Sequence, residues 1–298
     1  MIARKYAEVF ARSAQVSLEI AEREIVLTYA LKILDEDGFL KNLAFKGGTC
    51  LRKCVYGKDT RFSMDMDFTH LGGSDPDDAI LEIAEAFTKT SYGIAFKTNT
   101  EDFYVSNDKR SCGAHIRYSH EWNQGGFDLE FSFRERPSLP LVMMELKPQP
   151  YFKYLEFKPF PIPCFRFEEL LAEKIRAASQ RIRSRDLYDL FHAAEKPFNA
   201  PLIRALTVVK CWNVRHHFEP QRFFDKMRSG RQDWDDLARL IQRSRRIDPE
   251  KMIGTCERRY RFLREFTEDE NQLVADARRH HLNRLPEKIL SRLEFQRQ

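Results

Sequence analysis

No apolar run in the sequence approaches the roughly 18 residues a membrane span requires, and the opening stretch MIARKYAEVFARSAQ lacks the continuous apolar core of a secretion signal. A cytoplasmic protein without a membrane partner is expected. Cysteine is sparse, and Cys50, Cys54, Cys112, Cys164, Cys211 and Cys256 show neither the paired spacings of a zinc site nor the density of a disulfide scaffold. Reduced thiols are therefore expected. Cys50 and Cys54 sit four apart on an expected helix and suit a metal or redox pair, yet two ligands do not make a zinc site. Internal repeats and low-complexity tracts are also missing. What is present is 298 residues with 42% hydrophobic content, which argues against disorder and suffices for one large domain or two ordinary ones.

The net charge of +5 conceals an asymmetry. Residues 1–150 carry 19 Lys and Arg against 23 Asp and Glu, a net −4, while residues 151–298 carry 31 against 22, a net +9. An acidic first half suits cation-assisted chemistry, and an Arg-rich second half suits a polyanion. An ordinary solvated helical surface accounts for the same numbers.

Residues 18–36, LEIAEREIVLTYALKILDE, place Ile20, Ile25, Leu27, Ala30, Leu31 and Leu34 at the spacing of an amphipathic helix. A short apolar run, Leu43 to Phe45, meets Lys46, Gly47 and Gly48, after which TCLRKCVY reads as one or two helical turns. Residues 63–70, SMDMDFTH, alternate as a half-buried strand, with Asp65, Asp67 and Thr69 on one face and Met64, Met66 and Phe68 on the other. A helix from Asp77 to Lys89 and strands at Ile94–Thr98, Ala114–Ser119 and Gly126–Arg134 follow. Seven prolines between Pro137 and Pro163 exclude continuous helix and indicate a linker or edge strands. Beyond them FEELLAEKIRAASQRI, RDLYDLFHAAE and NAPLIRALTVVKCW are helical in period. The fold class expected is α+β: a mixed sheet flanked by helices over 1–150, then a helical domain over 151–298.

Carboxylates at i and i+2 on a strand point the same way, with Cα atoms about 6.5 to 7 Å apart, close enough to share divalent cations. Asp65 and Asp67 meet that condition, and GFDLEFSF offers Asp128 or Glu130 as a third ligand for a two-magnesium site. Phosphoryl and nucleotidyl transfer need alignment and charge neutralisation more than covalent help. Gly47 and Gly48 leave room for a polyphosphate at the main chain, and Thr49 begins a helix whose free N–H groups favour an anion. A GG pair or a DxD alone is commonplace. Strand, FKGGT, helix and a strand bearing S-x-D-x-D in succession are not.

That unit, FKGGTCLRKCVYGKDTRFSMDMDF, resembles the core of the DNA polymerase β-like nucleotidyltransferases, and most closely the AbiEii toxin family. By this resemblance Asp65 and Asp67 match the paired metal ligands, and Lys46, Gly48 and Thr49, with Gly47, match the phosphate-side turn. Ser63 matches a Ser two residues before the first Asp, which in resembling toxins can be phosphorylated to silence the enzyme. Met64 departs from the acidic or polar residue common between them. SFRE after Glu130 fits too and favours Glu130 over Asp128. In the second half LLAEKIRAA and RSRDLYDLF resemble the family's lysine helix and Arg-Asp-x-x-Asp segment, so that Lys174 matches a phosphate-contacting lysine and Asp186 a catalytic aspartate.

The resemblance implies an Mg²⁺-dependent nucleotidyltransferase with an NTP as substrate, an RNA acceptor such as a tRNA 3′ end, and an antitoxin partner in a type IV-like or phage-defence system. A protein or small-molecule acceptor, or a silent nucleic-acid-binding relative, remains as an alternative. Each residue also has a plainer reading. Lys174 and Arg176 suit an exposed helical face, and Asp186 and Asp189 suit a helix cap. His216, His217, His280 and His281 suit surface polarity, and the 24 scattered phenylalanines suit core packing.

Overall fold

A computed structural model describes residues 1–73, 75–181, 183–229 and 232–295. The chain forms two compact units, the first of Met1–Phe165 with Arg239–Arg245, the second of Arg166–Ala238 with Arg246–Gln298.

The first unit opens with helices α1 (Arg4–Ala14) and α2 (Leu18–Glu36). Ser17 caps α2 by accepting from the Ile20 N–H at 3.3 Å, a contact worth about 1 kcal/mol. The apolar positions of α2 are buried as their spacing requires, but the helix is not amphipathic in the solvent-facing sense expected: Glu22 and Glu24 are fully buried as well. Each is partnered. Glu22 accepts from His120 and Asn123, and Glu24 lies 3.2 Å from Lys53 Nζ and 3.6 Å from Arg52 Nε.

Strand β1 (Leu43–Lys46) runs into the short helix α3 (Gly47–Cys50), and the chain continues through a π-helical turn, Leu51–Tyr56, to β2 (Met66–His70). Helix α4 (Pro76–Ala86) follows, then β3 (Thr90–Ser91), β4 (Ile94–Lys97), β5 (Phe103–Val105), β6 (Ser111–His120) and β7 (Asn123–Ser132). The proline-rich segment supplies β8 (Val142–Glu145) and β9 (Pro161–Cys164). All nine strands make one mixed sheet in the order β3-β4-β6-β7-β2-β1-β9-β8, with β5 also paired to β6. β8 is an edge and holds no proline; Pro161 and Pro163 lie in β9, which pairs with β8 along its length and with β1 only at Cys164. In the sheet core Phe45, Phe68 and Phe131 lie in one register row across β1, β2 and β7, with ring centroids 4.9 and 5.9 Å apart.

The second unit is helical: α5 (Phe167–Gln180), α6 (Ser184–Ala194), α7 (Ala200–Asn213), α8 (Pro220–Arg228), α9 (Trp234–Leu240), α10 (Pro249–Arg259), α11 (Glu268–Asp276) and α12 (Leu285–Phe295). The last two residues of α9 are counted with the first unit. Ala205, Val208, Val209 and Trp212 of α7 pack against Leu273, Ala277, Leu285 and Ile289. Three of the four histidines expected at the surface are packing groups instead. His280 stacks on Trp212 at 3.8 Å, His217 bonds the Val274 carbonyl at 3.0 Å, and His216 bonds Ser179 at 3.0 Å. No helix among the described residues is long and apolar enough to cross a membrane.

Candidate active site

The register of the sheet aligns residues from five strands in one row, four of them polar. Lys46 of β1 is opposite Asp67 of β2, Asp67 is beside Glu130 of β7, Glu130 is opposite Gly113 of β6, and Gly113 is opposite Tyr104 of β5. Because neighbouring strands lie about 4.8 Å apart, this puts the backbones of Asp67 and Glu130 within carboxylate reach of each other. The adjoining row is the phenylalanine row, pointing to the other face, so the same alternation that builds the core displays the acids.

The strand bearing the acids is shorter than its alternation suggests. β2 begins at Met66; Ser63 precedes it without regular structure, and Asp65 lies at a bend. The reason is local: side chains and a distant carbonyl satisfy the backbone that a ladder would otherwise use. Thr49 Oγ1 donates to the Asp65 carbonyl, Arg52 donates to the Thr60 carbonyl at 3.0 Å, and the Phe62 N–H donates to the Leu240 carbonyl at 2.7 Å. Ser63 nevertheless remains with the acids, its hydroxyl donating to Asp65 Oδ1 at 3.1 Å while being only 2% exposed.

The glycine turn fits these residues closely. Gly47 has φ +76°, a left-handed conformation that strains any side chain, and a Cβ built on it would lie 2.1 Å from Asp67 Oδ2. A Cβ on Gly48 would lie 2.7 Å from Arg61 Nη2 and 2.8 Å from Ser63 Oγ. Both glycines are thus shaped around the residues of the DxD segment. Lys46 extends over the Phe165 ring at 5.8 Å.

The three carboxylates do not form one tight knot. Among the described residues the only group of three or more His, Cys, Asp or Glu ligand atoms all within 4.8 Å of one another is formed by cysteines. Asp128 is separately engaged, 2.7 Å from His115 Nδ1 and exposed. Glu130 accepts from the Tyr104 hydroxyl at 3.2 Å, and desolvation at that hydroxyl together with the Glu130 and Asp67 charges pushes the phenol well above its usual range, although the side chain as a whole is 45% exposed. Tyr104 therefore remains a donor that holds Glu130.

In the second unit Lys174 of α5 sits 2.8 Å from Asp189 and 3.4 Å from Asp186 of α6. Asp186 is also held by Arg181 at 3.0 Å. Lys174 is not an exposed helical face, and the two aspartates, each about 3% exposed at the side chain, are bound to cations rather than to helix N–H groups alone. Arg176 pairs with Glu173 at 2.9 Å.

Residues 29–297 match the model of the family described as Nucleotidyl transferase AbiEii toxin, Type IV TA system. The chain belongs to this family. It is accordingly a nucleotidyltransferase, a toxin of a type IV toxin–antitoxin system. The fold is similar to that of MenT4, a nucleotidyltransferase toxin from Mycobacterium tuberculosis H37Rv, at 25% identity and a TM-score of 0.81, covering 98% of this chain and 99% of the other. It is similar at the level of fold to JHP933 from Helicobacter pylori, at 17% identity and a TM-score of 0.51, covering 87% of this chain and 99% of that one. No curated protein matches the chain.

Three parts of this surrounding were not read from the sequence. Tyr104 lies on a three-residue strand too short to announce itself by alternation, and Gly113 gives no signal except the absence of a side chain where the Tyr104 hydroxyl passes, 2.8 Å from where a Cβ would be. Arg61, buried beneath Gly48, looks in sequence like any surface arginine.

Proposed function

We propose that the chain transfers a nucleoside monophosphate from an NTP to an RNA acceptor, a tRNA 3′ end being the form implied, and that an antitoxin partner restrains it. The observation that carries this reading is the register row that sets Asp67 beside Glu130, with Gly47 and Gly48 moulded against Asp67 and Ser63. Asp65, Asp67 and Glu130 offer only hard oxygen donors, the set that suits Mg²⁺, and Glu130 is already oriented by Tyr104. When bound there, the ions would neutralise triphosphate oxygens and acidify the attacking hydroxyl.

The protein's own residues supply position. Thr49 fixes the Asp65 backbone through its carbonyl, so the phosphate-side turn and the first carboxylate are one rigid piece. The space a side chain would take at Gly47 and Gly48 is filled by Asp67, Arg61 and Ser63, so the two glycines let the phosphate-side turn close against the carboxylate segment. In the second unit Lys174 is held between Asp186 and Asp189, an orientation that suits the phosphate-contacting role its motif implies. An aspartate already shared between two cations is better suited to orienting than to taking a proton.

Incubating the full chain and Mg²⁺ with each α-labelled NTP, against total RNA and against total protein, tests the reading. Label in RNA with one nucleotide preferred is the expected result. Label in protein alone would overturn the RNA acceptor, and label in neither fraction would overturn the transfer to macromolecules.

A further inference from the structure

Cys50 at the end of α3, Cys54 in the π-helical turn and Cys164 at the end of β9 bring three thiols together from segments up to 114 positions apart. Their sulfur atoms all lie within 4.8 Å of one another, and the side chains are 0%, 3% and 0% exposed. All three are free. The sequence shows only the Cys50–Cys54 pair; the third thiol arrives because Cys164 is in register with Phe45, at the strand that leads into α3. The turn that presents Cys54 is π-helical, a rare geometry found disproportionately at functional sites.

We propose that Cys50, Cys54 and Cys164 form a buried three-thiolate site for a soft monovalent cation, copper(I). Spacing decides between a metal and a disulfide. Metal–thiolate bonds of about 2.3 Å in a trigonal plane set the sulfurs about 4 Å apart, so the observed triangle needs to contract by less than about 1 Å. A disulfide requires a sulfur pair to close to about 2.05 Å. Ligand number decides among metals. Thiolates favour soft ions, and no fourth His, Cys, Asp or Glu among the described residues lies within the same distance of all three, so tetrahedral zinc is short of a ligand.

Loading forms three Cu–S bonds and releases the three S–H protons to water, with no change in the oxidation state of copper or sulfur. The filled site carries two negative charges, and Lys53 and Lys147, whose charges act on Cys54, offset them. Because Cys50 directly follows Thr49, an ion here ties the glycine turn, the π turn and β9 into one piece.

The test is an anaerobic titration of the reduced full-length protein with copper(I) held by a chromophoric chelator. One equivalent should leave the chelator, with a near-ultraviolet thiolate-to-copper band and a higher Tm. Cys164→Ser and Cys54→Ala, once shown folded by circular dichroism, should weaken retention by more than about 100-fold, beyond the loss of an outer-shell partner. Cys211→Ala and Cys256→Ala should retain copper as the parent does. A parent protein that withdraws no copper and shows no band overturns the site without recourse to any variant. Retention unchanged in both Cys164→Ser and Cys54→Ala overturns the ligand assignment, and zinc held in preference to copper(I) overturns the three-coordinate one.

Discussion

Gly47 is where the phosphate-side turn and the DxD segment meet most tightly. Its positive φ and the 2.1 Å between a notional Cβ and Asp67 Oδ2 mean that Gly47→Ala must displace the carboxylate or the turn. A misplacement of about 1 Å at reacting groups costs on the order of 100-fold in rate, and a comparable loss of transfer is expected with the fold retained. Gly73→Ala, with nothing within 4 Å, is the matching control and should leave single-turnover rates unchanged. Asp65→Asn and Asp67→Asn keep the shape and remove the charge; each should abolish transfer while shifting Tm little, and near-normal turnover in either would remove that residue from the metal set. Ser63 is buried against Asp65, so Ser63→Ala should stay folded and keep partial transfer, whereas Ser63→Glu brings a second negative charge beside the first. NTP affinity measured by calorimetry should vanish in Ser63→Glu, and binding like the parent's would mean that the charge does not face the triphosphate.

At the level of elements, α2 steadies the glycine turn from behind. Its Glu24 carboxylate reaches Lys53 and Arg52, and Lys53 also donates to Thr28 Oγ1 and the Glu24 carbonyl, each at 2.8 Å. Removing one charge from so buried a set leaves the others uncompensated, a cost of about 3–5 kcal/mol. Glu24→Gln should lower the urea-unfolding free energy by that order, and a change below about 1 kcal/mol would show that Arg52 and Lys53 find other partners. The bounds of α2 were legible because its apolar spacing is a local signal. Its buried glutamates were not, since their partners are remote in sequence. The same division holds at the site. Asp65, Asp67 and the glycine turn are contiguous in sequence, but the early end of β2, the Tyr104 support for Glu130 and the third thiol depend on pairings that only the folded sheet creates. Lys174 and Asp186 were legible as a motif, while their mutual ion pairing was not.

Across the whole molecule, the unequal division of charge bears on the acceptor. A net −4 over residues 1–150 accompanies the candidate carboxylates, and a net +9 over residues 151–298 provides the excess of cations that a polyanion requires. Many basic residues in that half are already committed internally: Lys210 to Glu169 and Glu173, Arg204 to Glu270, Arg185 to Asp236, and Lys288 and Arg292 to Asp269. Paired cations of this kind bind phosphate only by exchanging one anion for another, so the effective number of RNA contacts is smaller than the charge count suggests. Counterion release makes that number measurable, because each phosphate neutralised contributes about −0.7 to −0.9 to the slope of log affinity against log salt. RNA affinity should therefore fall steeply between low and physiological salt, with a slope corresponding to fewer phosphates than the excess charge of this half. NTP binding through metal and buried groups should fall less, since enclosed charges are screened less. Fluorescence anisotropy with labelled tRNA and calorimetry with the preferred NTP, over the same salt series, separate the two. An RNA affinity that stays level across the series would turn the argument toward a protein or small-molecule acceptor.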